Sequence, residues 1–133
     1  AKFIQSFSKV GLIPDTGGSW HLPHLLGEVR AKGLAFTAKP LSAEKAESWG
    51  LIWKSVEDAS LMQTARDMVE SFAKGPTLGL ALTKEAIQTS WDNDLLTHLD
   101  KEAEFMTRLG ESADYAEGVS SFLEKRAPNF KGR

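Results

Sequence analysis

The sequence predicts a chain of the α/β class that is itself mostly helical. Residues 1–56 combine β-leaning apolar segments with strong turn signals, which is typical of the end of an α/β unit. From residue 57 onward, apolar residues recur at the three- and four-residue spacing of amphipathic helices. We therefore predict an α/β region over 1–56 and an all-helical region over 57–133.

The first region is predicted to hold two short strands and three helices. Ser42 is a suitable N-cap, and Gly50 is placed to end the same helix in the left-handed conformation. Trp20 and Leu22 are expected to face inward. The predicted order is a strand and loop over 1–14, a helix from 15–18 that Pro23 ends or kinks, helices over 27–38 and 43–49, and a strand over 51–56.

The second region is predicted to hold four helices. A continuous apolar stripe from Leu61 to Ala73 is stopped by Gly75-Pro76. Thr77, Asp94 and Ser112 are predicted to cap the next three helices. The third of the four carries its apolar residues on one face, namely Leu95, Leu96, Leu99, Ala103, Met106 and Leu109, and Gly110 is predicted to end it.

Two short strands cannot form a stable sheet by themselves, so we expect further strands to come from elsewhere. The chain opens on Ala1-Lys2-Phe3-Ile4-Gln5, which reads like the middle of a protein. Both observations predict that these 133 residues are a fragment of a longer chain.

Composition excludes several classes of protein. Lys and Arg number 16 against 18 Asp and Glu, so the net charge of −2 provides no basic footprint for nucleic acid or an anionic membrane. No apolar run approaches the ~18 residues of a membrane span. The absence of cysteine excludes disulfides and thiolate chemistry and is consistent with a reducing compartment. We expect a cytoplasmic protein without nucleic-acid or membrane partners.

Asp15 is the candidate catalytic residue. It follows Ile13-Pro14 and precedes Gly17-Gly18, so it lies on a tight turn between apolar segments. An apolar pocket disfavours the charged form of a carboxylate and makes it a usable general acid or base. The alternative is that Asp15 is an ordinary helix N-cap.

Other chemistry-bearing residues leave two interpretations open. Gly17-Gly18 either cradles a phosphate through backbone N–H groups or lets a helix pack closely.

His21 and His24 have metal-ligand spacing, but Pro23 separates them and no third ligand is evident, so no metal site is predicted. His98 is expected at a surface or interface. The basic tail is either a solvated helix end or a phosphate contact; it comprises Lys125, Arg126, Lys131 and Arg133.

Three segments together resemble the crotonase (enoyl-CoA hydratase/isomerase) superfamily. The segments are FSKVGLIPDTGGSW at 7–20, LSAEKA with WGLI at 41–46 and 49–52, and SADYAEGV with FLEKR and PNF at 112–119, 122–126 and 128–130. The resemblance covers the whole chain. It implies the C-terminal part of a crotonase-like ββα spiral core, followed by an all-helical oligomerisation region that builds a trimer or a dimer of trimers.

The resemblance also implies roles for individual residues. Asp15 matches the aspartate that the isomerase branches use as general acid or base. Phe7 stands where hydratases carry their second glutamate, so hydration is doubtful. Lys125 matches a family lysine that reaches the coenzyme A nucleotide of a neighbouring subunit. The family position of an aromatic residue near the adenine falls at Phe105 or Met106. No cofactor is implied beyond the coenzyme A of the substrate thioester.

The resemblance implies an acyl-CoA isomerase, most similar to the branch that acts on the ring epoxide of phenylacetyl-CoA. The oxyanion hole for the thioester is expected in the missing N-terminal half. One alternative is a Δ3,Δ2- or dienoyl-CoA isomerase or an enoyl-CoA hydratase of fatty-acid oxidation. Another is that this chain alone is an inactive helical assembly fragment.

Overall fold

The computed structural model describes residues 1–133, and 66% of them are helical. The chain divides into two compact units, Ala1–Asp58 and Ala59–Arg133. The first unit contains β1 (Lys2–Phe3), a short 3-10 helix (Ser6–Val10), α1 (Gly18–Leu26), α2 (Glu28–Thr37), β2 (Leu41–Ser42) and α3 (Ala43–Trp49). The second contains α4 (Asp58–Ala73, whose first residue lies in the first unit), α5 (Thr77–Thr89), α6 (Leu95–Gly110) and α7 (Ala113–Glu124).

The core of the first unit lies where α1 packs against α2. β1 and β2 form a two-stranded antiparallel sheet, in which Lys2 is paired with Ser42 and Phe3 with Leu41. Phe3, Trp49, Leu51 and Ile52 pack against the core at its margin. The buried core residues are Leu22, Leu26, Ala31, Leu34, Leu41 and Ala46.

The predicted strand over 51–56 is wrong, and its backbone explains why. Gly50 adopts the left-handed conformation as predicted, and the Leu51 N–H then donates to Ala46 O at 2.9 Å. The Ser55 N–H donates to the Glu47 carboxylate at 2.9 Å. With these two donors bonded to α3, residues 51–56 pair with no strand of this chain, and the partner strand of β1 is Leu41–Ser42 instead.

Pro23 does not end α1, which continues through it to Leu26, and the expectation that Trp20 faces inward is wrong. Leu22 and Leu26, on either side of Pro23, are buried in the core. Trp20 does not face inward. Trp20 is half exposed, and the centroid of its ring lies 4.4 Å from the centroid of the His24 ring.

The second unit pairs α5 with α6 and α6 with α7. Asp94 and Ser112 cap their helices as predicted, accepting from the N–H groups of Thr97 and Tyr115 at 2.9 and 3.1 Å. Thr77 is not a cap but the first residue of α5, since Pro76 occupies the cap position without a side-chain bond. None of the helices combines the length and the apolar character that crossing a membrane requires.

Candidate active site

Asp15 lies on the turn that leads into α1. Its carbonyl oxygen accepts a hydrogen bond from the Gly18 N–H at 2.8 Å, which closes a four-residue turn. Its Oδ1 accepts from the Thr16 hydroxyl at 2.9 Å. The carboxylate makes no bond to the amides of α1, so Asp15 is not the N-cap of this helix; Gly17 occupies that position. The turn therefore presents the carboxylate outward.

No apolar pocket encloses Asp15 within residues 1–133. The side chain is exposed, and so are the neighbouring Leu12 and Ile13. A groove of about 390 Å³ lies beside the turn, between the 13–14 segment, α1 and α2, and Asp15 does not line it. The apolar pocket expected from the sequence is thus not formed by the chain's own side chains, because the apolar residues on either side of Asp15 point to solvent.

The glycine pair packs the turn closely. A Cβ at Gly18 would lie 3.2 Å from the Pro14 Cβ, and one at Gly17 would lie 2.9 Å from Cδ2 of His21. Gly17 also has φ of +82°, a conformation that side chains disfavour. These contacts favour the packing interpretation of Gly17-Gly18 over the phosphate cradle.

Phe7 is half-buried on the 3-10 helix. Its carbonyl oxygen accepts from the Leu12 N–H at 3.0 Å, which links this short helix to the segment leading to Asp15. The phenyl ring offers no group that could position a water molecule.

The histidines do not form a metal centre. Nowhere in the chain do three or more His, Cys, Asp or Glu side chains gather as metal ligands could. Nδ1 of His24 lies 2.6 Å from the Trp20 carbonyl oxygen. His98 is half-buried on α6, where Nε2 lies 3.6 Å from the Glu102 carboxylate.

Lys125 closes α7 and is exposed. It adopts the left-handed conformation with φ of +54°, and its N–H donates to the carbonyl oxygens of the last turn. The residue after it is firmly held. Arg126 bonds to Glu117 through Nη1 and Nη2 and to Glu124 through Nε. The basic tail is therefore not uniformly solvated, since Arg126 is committed to two glutamates.

Phe105 is buried on α6 at the contact with α5, and only 9% of its surface is exposed. The Lys101 ammonium lies 5.2 Å from its ring centroid, over the ring face. Met106 is 67% exposed. Of the two residues left open for an adenine contact, Met106 is the accessible one, because Phe105 is buried.

Two details of the candidate site could not be predicted from the sequence. The Thr16 that bonds to Asp15 has a left-handed backbone, and nothing in its residue type signals that conformation. The pairing of Glu117 with Arg126 joins residues nine positions apart on either side of a helix end. Opposite charges at that spacing carry no regular-helix signal, since helical pairs lie three or four residues apart.

The comparisons with known proteins agree over the whole chain. A family model described as enoyl-CoA hydratase/isomerase matches residues 1–133. The chain is 50% identical over 133 residues to a 1,2-epoxyphenylacetyl-CoA isomerase of Escherichia coli strain K12, covering 100% of this chain and 51% of that protein. It is 43% identical to a "Probable enoyl-CoA hydratase" of Rhodobacter capsulatus, covering 100% and 52%.

A solved structure supports the same grouping. Subunit I of an enoyl-CoA hydratase from Geobacillus kaustophilus superimposes with a TM-score of 0.95 at 34% identity. The match covers 100% of this chain and 52% of that structure. This chain thus spans about half the length of the curated relatives and the solved structure it matches.

Proposed function

This chain belongs to the enoyl-CoA hydratase/isomerase family. We propose that it forms part of an acyl-CoA isomerase that acts on ring-1,2-epoxyphenylacetyl-CoA. In this proposal, Asp15 is the general acid and base. The observation that carries the proposal is that Asp15 presents an exposed carboxylate while Phe7 stands where the family resemblance places a hydratase glutamate. The site therefore offers one carboxylate, whereas hydration uses two. Identity of 50% to a 1,2-epoxyphenylacetyl-CoA isomerase supports the choice of substrate.

One carboxylate suffices for an isomerisation. Asp15 takes a proton from one atom of the acyl group and returns it to another, so no atom is gained or lost. The electron pair left behind by the proton is delocalised onto the thioester oxygen, which hydrogen-bond donors must stabilise. No residue of this chain is assigned to that oxyanion hole, and we propose that the donors lie outside residues 1–133.

Coenzyme A enters this proposal only as part of the substrate. Lys125 is exposed at the end of α7, and we propose that its ammonium binds a phosphate of the nucleotide. Met106 offers accessible apolar surface for the adenine ring, whereas the side chain of Phe105 is buried. These contacts would complete substrate binding without a further cofactor.

The experiment is Asp15→Asn in the protein as it is encoded. The amide keeps the shape of the side chain but cannot accept a proton, so we expect kcat to fall about 10²–10⁴-fold with the fold retained. Asp100→Asn, which changes an exposed aspartate on α6, is the matched control and should retain full turnover. Near wild-type turnover of Asp15→Asn would remove Asp15 from the mechanism.

Enoyl-CoA hydration is the second candidate function. It is favoured by the 43% identity to a relative described as an enoyl-CoA hydratase and by the solved hydratase subunit with a TM-score of 0.95. The two functions differ in whether water is added. A rate of crotonyl-CoA hydration comparable to the isomerase rate would favour this candidate.

A further inference from the structure

The turn that carries Asp15 has an unusual backbone. Three residues other than glycine have positive φ, and two of them, Ala38 and Lys125, close helices at their C-terminal ends, where the left-handed conformation is common. Thr16 is the third, with φ of +52°, and it precedes a helix instead. A β-branched residue at positive φ is strained and persists only where its surroundings enforce it.

The surroundings of Thr16 do enforce this conformation. The Gly18 N–H donates to Asp15 O at 2.8 Å, so Thr16 and Gly17 are the central residues of a closed turn. Both have positive φ, the pattern of a type I′ turn, in which Asn, Asp and Gly predominate. The Gly17 carbonyl oxygen accepts from the N–H groups of Trp20 and His21 at 3.0 and 2.8 Å, which anchors the turn to α1.

The turn also contains one specific side-chain contact. The Thr16 hydroxyl donates to Oδ1 of Asp15 at 2.9 Å. Apart from this bond, the Asp15 carboxylate has no hydrogen-bond or ion-pair partner within the chain, and it is exposed. Without the hydroxyl, the carboxylate would be free to rotate among its rotamers.

We propose that Thr16 is a positioning residue for Asp15: its hydroxyl fixes Oδ1, so that Oδ2 faces the substrate and exchanges the proton. This inference rests on the proposed function, in which Asp15 is the acid and base. The left-handed Thr16 places its hydroxyl 2.9 Å from the carboxylate of its own neighbour. Catalysis is sensitive to such placement, since small displacements of a reacting group lower turnover.

The test compares Thr16→Val with Thr16→Ser in the protein as it is encoded. Valine keeps the β-branched shape without the hydroxyl, and serine keeps the hydroxyl without the methyl group. We expect Thr16→Val to lower kcat about 5-fold with KM unchanged, because one hydrogen bond to the carboxylate is lost. Thr16→Ser should remain within about twofold of the wild type. If Thr16→Val does not fold, Thr16→Ala replaces it, with the same expectation.

Two outcomes overturn the proposal. Wild-type kcat in Thr16→Val would show that the hydroxyl is not needed, and an equal loss in Thr16→Ser would assign the effect to the backbone or the methyl group. Asp15→Asn, measured in parallel, separates the two proposals. An inactive Asp15→Asn with a fully active Thr16→Val removes only the positioning role, whereas an active Asp15→Asn removes the proposed function together with it.

Discussion

The guanidinium of Arg126 donates two hydrogen bonds to the carboxylate of Glu117, from Nη1 to Oε1 at 2.5 Å and from Nη2 to Oε2 at 2.9 Å. The Asn129 N–H donates to the same Oε1 at 2.7 Å. The hydrogen bonds from Arg126 and then from Asn129 lower the pKa of Glu117 to about 2. The hydrogen bonds of Arg126 to Glu117 and then to Glu124 raise the pKa of the guanidinium. This pairing ties the end of α7 to the segment that follows it.

The lowered pKa of Glu117 predicts a specific dependence of stability on pH. The folded state holds the ionised form, so the contribution is present above the ordinary glutamate pKa of 4.5 and is lost as pH falls toward about 2. We expect Glu117→Gln to lower the free energy of unfolding at pH 7, with a difference from the wild type that shrinks between pH 4.5 and 2. Urea unfolding at several pH values measures it.

Glu104→Gln is the control for this prediction, because it removes an exposed carboxylate of α6 outside the network. A difference between wild type and Glu117→Gln that stays constant from pH 7 to pH 3 would contradict the ionic role of the pair.

Gly132 is predicted to tolerate no side chain. Its φ is +75°, its N–H donates to Oδ2 of the buried Asp114 at 2.8 Å, and a Cβ would collide with the Thr77 hydroxyl oxygen. We expect Gly132→Ala to destabilise the protein by about 1–3 kcal/mol, measured by urea unfolding. In a Thr77→Ala background the penalty should become smaller, because the steric part is removed and the backbone part remains.

Gly33→Ala is the matched glycine substitution. Gly33 lies within α2, and a Cβ at this position would meet no neighbour within 4 Å, so alanine there should stabilise by about 0.5–1 kcal/mol. Equal effects at positions 33 and 132 would argue against the packed C-terminal segment.

We predict that the exposed apolar face of α6 is an interface between copies of this protein. The family resemblance implies a trimer or a dimer of trimers. Leu95, Leu96, Leu99 and Met106 are between 47% and 75% exposed, whereas Phe105 is buried in a groove that it lines together with α5 residues. Contiguous apolar patches of this kind normally mark an interface. We expect Leu99→Glu and Met106→Glu to lower the mass measured by light scattering, from a trimer or a dimer of trimers toward a monomer.

Thr107→Glu places the same charge on an exposed polar position of the same helix and should leave the assembly intact. A monodisperse, active monomer of the unmodified protein would refute the assembly. An unchanged oligomer in both variants would exclude this helix from the interface.

Phe7 is predicted to keep hydration weak. A phenyl ring cannot activate water, so Phe7→Glu should raise crotonyl-CoA hydration at least about 10-fold in the encoded protein, provided that the other family glutamate is present. Phe7→Gln, of similar size but without a carboxylate, should show no gain. Robust hydration by the unmodified protein would contradict this role of Phe7.

Several features follow from the sequence because they depend on local chemistry. Ser42, Asp94 and Ser112 cap their helices as predicted, and Gly50 ends α3 in the left-handed conformation. Each depends on contacts within about four residues, so residue type and spacing suffice. The family was likewise recognisable from short motifs, and the family model confirms it over residues 1–133.

Other features were decided by tertiary structure. Residues 51–56 read as a strand, yet the N–H groups of Leu51 and Ser55 bond to α3, and β1 pairs with Leu41–Ser42 instead. Trp20 reads as a core residue, yet α1 turns Leu22 and Leu26 toward α2 and leaves Trp20 outside. At the candidate site the sequence identified Asp15 by itself. Only the folded turn, with Thr16 held left-handed by bonds on both sides, brings a hydroxyl to that carboxylate, because such a backbone is stabilised by its surroundings and not by its residue type.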